Sequence, residues 1–183
     1  MRIKTSAAIL AVALLFFCSP LVRVLSVSGG GRGKSSAVLL SRGAAREGFV
    51  ISYTHSVNKG RVRDFYACEG NALVLEKTVF ASYGAGMPEA GETPGTGFAA
   101  TGPGYELSGI DRRMDELLLA VGLTARHSIA LRQGGSVGEE LCLKDVFAVQ
   151  SPVRIRVRRV SLLRFLLARK LDASRTLDDC GRI

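Results

Sequence analysis

Short runs in which hydrophobic and polar residues alternate recur along the middle of the chain, separated by glycine, asparagine and proline. Alternation with a period of two places the hydrophobic side chains on one face of a β-strand and the polar ones on the other. The pattern therefore predicts strands at residues 37–41, 49–56, 61–68, 72–82, 105–110, 116–121, 127–131, 140–143 and 153–160.

Turn signals between these runs indicate that neighbouring strands form hairpins. Residues 58–60, 69–71 and 133–136 each contain glycine beside a polar residue, a combination that suits tight reversals. Twenty-one glycines and no tryptophan agree with many turns and short strands. We therefore predict a mainly β domain over residues 37–160, as a single antiparallel sandwich or a partly closed barrel. Residues 111–120 can alternatively form a short helix.

The first 28 residues have the layout of an export signal. A basic start precedes an uninterrupted apolar run at residues 7–17, and the small residues Ser26 and Ser28 suit a signal peptidase. A hydrophobic helix that remains as a membrane anchor, over residues 5–22, fits the segment equally well. The glycine-rich residues 29–36 are predicted to be a linker. Both interpretations place the domain in the cell envelope, on the periplasmic side of the inner membrane.

The C-terminal residues 161–183 are predicted to form a short basic helix and a frayed tail. Residues 152–183 hold nine basic and three acidic side chains, which gives +6 of the net charge of +9. Such a segment suits a membrane surface or an acidic protein partner, and export argues against nucleic acid. The predicted basic docking surface consists of Arg154, Arg156, Arg158, Arg164, Arg169 and Lys170.

Two motifs carry a resemblance to a known family, YTHSVNKGRVRDFYACEG at residues 53–70 and SYGAGMP at residues 82–88. With GYELSGIDRRMDELLLAVG and VRIRVRRVSLL, they make residues 37–163 resemble the bacterial and archaeal family catalogued as domain of unknown function 1850. The resemblance implies a small envelope protein associated with the membrane subunit or the solute receptor of a TRAP-type uptake transporter. It also implies that Asp64 stands where members usually carry an acidic residue, more often glutamate.

The two motifs supply the candidate contacts for a ligand or partner. Neighbouring residues of a strand point to opposite faces, so His55 and Ser56 cannot pair as base and nucleophile. We expect a structural His55 that bonds Asp64 or Tyr83, and a hydrolase using His55 is the alternative. The full set of candidate contacts is Tyr53, Thr54, His55, Ser56, Asp64, Tyr83, Gly84, Gly86, Met87 and Pro88.

A long segment at residues 83–104 contains seven glycines and three prolines, which predicts a loop without regular structure. A connection of this length is typical of a functional or mobile segment. For residues 82–88 two interpretations stay open, a turn that covers the core and a recognition loop. A pocket for a small ligand beneath residues 83–104 is a separate alternative.

Cysteine and histidine are too few and too scattered for a metal site, so neither a metal nor a cofactor is predicted. With Cys18 in the signal segment, three thiols remain, which allows one internal disulfide in an oxidising compartment. Cys68 and Cys142 fall on predicted strands and form the predicted pair, with Cys180 free. Three unpaired cysteines are the alternative.

Taken together, the sequence predicts a non-enzymatic accessory domain of the cell envelope that assists a TRAP-type solute uptake transporter. Its expected partners are the transporter's membrane subunit or solute receptor and the membrane surface. A small-ligand-binding β domain and a hydrolase using His55 are the alternative functions.

Overall fold

Two β sheets packed face to face form the fold, in a computed structural model that describes residues 15–31, 36–82, 95–102 and 104–171. At residues 169–170 only the backbone is described. The strands within each sheet run antiparallel, apart from one two-residue pairing. The prediction of a mainly β, antiparallel fold is therefore confirmed, and within the described residues the sheets do not close into a barrel.

Each sheet is best described by its strands in spatial order. Sheet I contains β12 (Arg169–Lys170), β2 (Ser36–Ser41), β1 (Val22–Gly30), β11 (Pro152–Val160) and β8 (Leu117–Ala120), with β12 parallel to β2. Sheet II contains β10 (Ser136–Cys142), β9 (Ser128–Gln133), β3 (Phe49–Thr54), β4 (Arg61–Glu69), β5 (Ala72–Phe80), β7 (Gly104–Met114) and β6 (Gly97–Thr101). The helical elements are α1 (Ala44–Glu47), α2 (Leu162–Leu167) and a 3-10 turn (Leu143–Asp145).

The predicted hairpin turns fall where the sequence placed them. Residues 58–60 precede β4, residues 69–71 join β4 to β5, and residues 133–136 join β9 to β10. Gly70 has a φ of 58° and Gly134 a φ of 57°. Both values lie in the left-handed region that glycine adopts at low cost, so the composition of these turns follows from their backbone geometry.

The main core lies between the sheets and is built from the alternate residues of their central strands. Leu25 of β1 and Ile155 of β11 meet Phe49, Ile51 and Ile129 of sheet II, and each of these side chains is at most 3% exposed. Burying one such side chain stabilises the fold by roughly 1.5–3 kcal/mol. A smaller cluster of Val62, Phe80 and Leu107 extends the apolar interior along sheet II.

Strand β1 begins inside the segment that the sequence analysis assigned to a signal or an anchor. It pairs with β11 on one side and β2 on the other, so it lies inside sheet I. Its alternation is that of a sheet strand, because Leu25 and Val27 point into the core while Val24 points to the other face. The first strand thus starts at Val22 rather than at residue 37, and the predicted linker, residues 29–36, includes the end of β1 and the first residue of β2.

Other local assignments change in the structure. Residues 111–120 end β7 and form β8, so the alternative helix there is wrong. Strand β6 occupies part of the segment predicted as a loop, and residues 83–94 lie outside the described part. The predicted basic helix is short, and β12 follows it. Residues 15–18 are helical, and in the described part of the chain no helix is both long and apolar enough to cross a membrane.

The predicted disulfide between Cys68 and Cys142 is wrong. Cys142 is in a disulfide, whereas Cys68 carries a free thiol. Both residues lie on sheet II, but Cys68 packs against the main core while Cys142 pairs with Ser128 on the outer face. Two strands separate β4 from β10, at about 4.8 Å for each step between neighbours. Opposite faces and this separation prevent a bond between them.

Candidate functional site: an arginine-bearing sheet face beside an apolar groove

The outer face of sheet I carries a row of arginines. In β11, Val153, Ile155 and Val157 point into the core, so Arg154, Arg156 and Arg158 point outward. Arg164 of α2 is close enough to Arg158 to repel it. We name this surface, made of Arg154, Arg156, Arg158 and Arg164, the arginine face.

One of the four arginines is neutralised by a carboxylate and the other three are not. Arg154 Nε lies 3.1 Å from Glu116 Oε2. Among the described residues, Arg156, Arg158 and Arg164 form no ion pair. Burial lowers the pKa of Arg158, and repulsion from Arg164 and Arg156 lowers it further. Three positive charges thus converge without compensation.

Unsatisfied polar atoms lie beneath these arginines. Ser26 of β1 pairs with Arg156 across the sheet and is completely buried. Its hydroxyl has no hydrogen-bond partner in the described structure, and neither have Arg156 Nε and Arg158 Nε. A buried polar group without a partner costs about 1–3 kcal/mol. The face therefore carries both unbalanced charge and unused hydrogen-bonding capacity.

An apolar groove adjoins the arginine face. Helix α2 packs Phe165 on Val24, Leu40 and Val160 of sheet I, because its predicted apolar side has an apolar patch to cover. Between the helix and β2 lies a groove of about 430 Å³, which we name the leucine groove. Its lining consists of Val38, Leu40, Ser161, Leu163, Arg164, Leu167 and Ala168.

Exposed apolar side chains surround one end of sheet I. On α2, Leu166 is 60% exposed and Leu167 is 78% exposed. The segment that precedes β1 is also apolar and exposed, at Leu15, Phe16 and Leu21. Both segments join the sheet at the pair formed by Val22 and Val160. An apolar surface larger than scattered single residues marks an interaction site.

Asp64, the acidic residue of the first motif, lies elsewhere, on the inner face of sheet II. Asp64 pairs with Ile51, whose side chain is in the main core, so the carboxyl points inward. Thr78 Oγ1 donates a hydrogen bond of 2.8 Å to it. Burial raises the pKa of Asp64 to about 6, against a smaller lowering by Thr78. Asp64 is thus an inward carboxyl held by a hydroxyl.

Tyrosines of the same motif surround this carboxyl. Burial raises the pKa of Tyr53 to about 12, and the charge of Asp64 adds to the effect. The pKa of Tyr66 is raised as well, chiefly by burial and then by Asp64. Tyr66 stacks on Phe49 with ring centroids 5.0 Å apart. The charge of Asp64 therefore makes both tyrosines harder to ionise.

His55 does not bond Asp64, one of the two partners expected for a structural histidine; the other, Tyr83, lies outside the described residues. It follows β3, where its Nδ1 lies 3.4 Å from the backbone nitrogen of Val57. Thr54 ends β3 beside it, and Ser56 is exposed in the turn. The structure therefore separates these three residues from the inward carboxyl, and a hydrolase based on His55 and Asp64 has no support in its contacts.

A polar network on the outer face of sheet II is absent from the sequence-based candidates. Glu140 accepts hydrogen bonds from Ser52 at 2.8 Å, Ser128 at 2.6 Å and Arg61 at 2.8 Å. Burial would raise the pKa of Glu140, but the hydrogen bonds from Ser128, Ser52 and Arg61 outweigh it and lower the pKa. Its members are 88 positions apart at most, so no local pattern could have revealed it. Because both carboxylate oxygens of Glu140 accept hydrogen bonds from side chains of the sheet, we interpret it as a structural network, although Arg63, 3.5 Å from Glu140, has an Nε without a partner in the described structure.

Several predicted site residues lie outside what the structure describes. This applies to Tyr83, Gly84, Gly86, Met87 and Pro88, and to Cys180. The side chains of Arg169 and Lys170 are likewise outside it, although their backbone forms β12. Within the described residues, no three histidine, cysteine, aspartate or glutamate side chains converge as metal ligands would.

One family model matches the chain, that of a family described as a domain of unknown function (DUF1850), over residues 49–136. Comparison with curated proteins and with solved structures gives no match. The family match confirms the resemblance found in the sequence. It covers β3 to β9, and so most of sheet II with Asp64. Strands β1 and β11 and helix α2, which build the arginine face, lie outside it.

Proposed function

This chain belongs to the DUF1850 family through residues 49–136, and we propose that it is a non-enzymatic accessory domain of the cell envelope. In this proposal it sits on the periplasmic side of the inner membrane and assists a TRAP-type solute transporter. Residues 49–136, which form most of sheet II, are the shared family region. The arginine face and the exposed leucines of α2 hold the chain at the membrane, next to the transporter's membrane subunit.

The observation that carries this proposal is the direct junction between the apolar N-terminal segment and β1. Leu21 is exposed, and Val22 already pairs with Val160 at the end of sheet I. No linker separates the two, because the glycine-rich residues connect β1 to β2 instead. If the preceding segment enters a membrane, this end of sheet I must lie at the membrane surface.

The transporter part of the proposal rests on the family resemblance and on charge. An uncompensated cationic surface favours an anionic counterpart. The exposed leucines beside it favour a partner that is partly apolar. A membrane subunit of a transporter, surrounded by lipid, offers both.

Cross-linking in cells tests the proposal. A photoreactive amino acid is placed at Leu21 or Leu167, and at Leu123 as the matched control, because Leu123 is 65% exposed on a different loop. We expect the first two positions to cross-link to the transporter's membrane subunit and the third not to do so. Cross-links at none of the three positions, or equally at Leu123, would contradict the proposal.

A further inference from the structure

We propose that three residues of the arginine face, Arg156, Arg158 and Arg164, bind one anionic phospholipid together with the leucine groove, whereas Arg154 is occupied by Glu116 and takes no part. Arg156, Arg158 and Arg164 hold its phosphate, and the leucine groove takes part of an acyl chain. This inference rests on the proposed function in one respect, namely that this end of sheet I faces the membrane. It adds a ligand, a binding site and named roles for the three arginines.

The uncompensated charge of the three arginines favours an anionic ligand. Guanidinium groups bind phosphate oxygens through paired, charge-assisted hydrogen bonds. Arg154 already has Glu116 at 3.1 Å and is occupied. Arg156, Arg158 and Arg164 have no carboxylate partner in the described structure, although Arg158 and Arg164 repel each other. An anion between them would remove this repulsion and use the idle donors.

The residues next to the arginines in sheet I are first polar and then apolar. Ser26, which pairs with Arg156 across the sheet, is completely buried, and its hydroxyl is without a partner among the described residues. In the same row, Leu40 pairs with Ser26 from the other side and lines the leucine groove. Arg156 of β11, Ser26 of β1 and Leu40 of β2 are therefore neighbours across sheet I, so the polar part of the site adjoins the apolar part.

The position of Arg164 links the arginines to the leucine groove and so indicates the class of ligand. Arg164 belongs both to the arginine face and to the lining of the leucine groove, so one occupant can reach both. Free phosphate would leave the groove empty, and an acidic peptide would leave its apolar lining unmatched. A ligand that joins a phosphate to an aliphatic chain fits both parts. Leu166 and Leu167, exposed beside the groove, suit the boundary of a lipid layer.

Lipid binding is measured on the full chain, purified in a mild non-ionic detergent. Short-chain phosphatidylglycerol, phosphatidylcholine, inorganic phosphate and a polyglutamate peptide are added separately, and bound ligand is counted by native mass spectrometry. We expect one phosphatidylglycerol per chain and weaker binding of phosphatidylcholine. Equal binding of both lipids would overturn the proposal. So would full competition by phosphate or by polyglutamate, which would indicate a phosphate site or a peptide site instead.

Variants assign the binding to the named residues. Each arginine near an anionic lipid surface contributes about fivefold in affinity, so Arg164→Gln should weaken binding about fivefold and Arg156→Gln with Arg158→Gln about 25-fold. Arg154→Gln is the matched control and should change the affinity by less than about twofold. Arg164 is exposed on α2, so its variant tests the site even if the double variant folds poorly. Equal effects at Arg154 and Arg164 would overturn the assignment.

The groove has its own variant. Leu163→Ser with Leu167→Ser should weaken phosphatidylglycerol binding while leaving the melting temperature close to that of the parent, because both leucines are exposed. Leu123→Ser is the control and should have no effect. Unchanged lipid binding by the double variant would remove the acyl chain from the site. If the parent chain binds no phosphatidylglycerol but still cross-links to the transporter, this inference alone is overturned; if it binds the lipid but gives no cross-link, the proposed function alone is overturned.

Discussion

Three carboxyl groups of this protein, those of Asp64, Glu140 and Glu69, lie in different environments within one fold. Asp64 points into the sandwich with a threonine as its hydrogen-bond donor, and burial raises its pKa to about 6. Glu140 is held by two serines and an arginine, which lower its pKa. Glu69 forms an ion pair with Arg113 at 2.8 Å, with both side chains about 60% exposed. Their expected contributions to stability differ accordingly.

Asp64 is expected to destabilise the fold at neutral pH. Its pKa of about 6 is above the ordinary value of 3.8, so its contribution is fully present below about pH 4 and is lost as the pH rises through 6. Asp64→Asn keeps an acceptor for Thr78 and removes the charge. We expect it to raise the free energy of unfolding by on the order of 2 kcal/mol at pH 7 relative to pH 4. Chemical denaturation at both values measures this.

The exposed Asp115 provides the control, since Asp115→Asn alters a carboxyl of the same type on the surface. Its effect on stability should be small. If Asp64→Asn shows no more pH dependence than Asp115→Asn, the pKa of the inward carboxyl is not raised by burial.

Glu140 is expected to have the opposite effect. Its lowered pKa means that its stabilisation is present above the ordinary range of a glutamate and is lost as the pH falls through the folded-state value. Glu140→Gln leaves Arg61 without its carboxylate at 2.8 Å. We expect a loss of about 2 kcal/mol at pH 7, measured by thermal or urea unfolding. Glu69→Gln, in an exposed ion pair, should cost under about 1 kcal/mol, and equal losses would contradict the prediction.

At the scale of elements, β1 decides how the chain is organised. Its side chains alternate between two apolar environments, with Leu25 and Val27 in the main core and Val24 beneath α2. The strand is central in sheet I, paired on both sides. A segment so placed cannot be removed without exposing the interior on both faces of the sheet.

Processing in cells should therefore leave β1 intact. Removal of residues up to Ser26 or Ser28 would delete Val24 and Leu25, each completely buried. At roughly 1.5–3 kcal/mol for each buried side chain, the loss would take much of the stability of a domain. N-terminal sequencing of the protein recovered from membranes should give a start before Val22. A start at Val27 or Gly29 would contradict the structure.

A pair of leucines tests the same strand without reference to processing. Leu25→Ala should lower the free energy of unfolding by about 2–5 kcal/mol, because its side chain is completely buried. Leu21→Ala, four residues earlier and 51% exposed, should change it by about 0.5 kcal/mol or less. Equal effects in urea denaturation would mean that β1 is not part of the core.

At the scale of the whole molecule, the two sheets differ in the features that they contain. Sheet II contains most of the family match and the polar network around Glu140. Sheet I joins the two ends of the described chain and bears the arginine face. Arg23 ties the sheets together, since its guanidinium donates to the carbonyls of Cys68 and Gly70 at 2.9 and 2.7 Å. The proposed membrane end thus belongs to β1, β11 and α2, which lie outside the family match.

Alkylation of the cysteine thiols tests this packing. Cys68 faces the core, and burial raises its pKa to about 11, so the thiolate that reacts with alkylating agents is scarce at pH 8. In folded, unreduced protein we expect iodoacetamide to label Cys18, which is exposed and free, and to leave Cys68 unlabelled. Denaturation without reductant should add Cys68 and spare Cys142. Labelling of Cys142 in that step, measured by peptide mass spectrometry, would contradict its disulfide.

The sequence by itself determined the strands whose polar and apolar residues alternate and the turns that need glycine, because both are set by residues within a few positions of each other. It also determined the two faces of β11 over residues 153–158, where apolar residues and arginines alternate without a break. It misassigned β1, because an apolar stretch that continues residues 7–17 has the same composition whether it enters a membrane or a sheet.

Only the tertiary structure decided what lies across a sheet or between sheets. Register placed Cys68 and Cys142 on opposite faces, and it placed Asp64 beside Ile51 and out of reach of His55. Pairing between β1 and β11 put Ser26 beside Arg156, from positions 130 residues apart. Such neighbours depend on strand order, which is settled by burial of the whole core and leaves no trace in any short stretch of sequence.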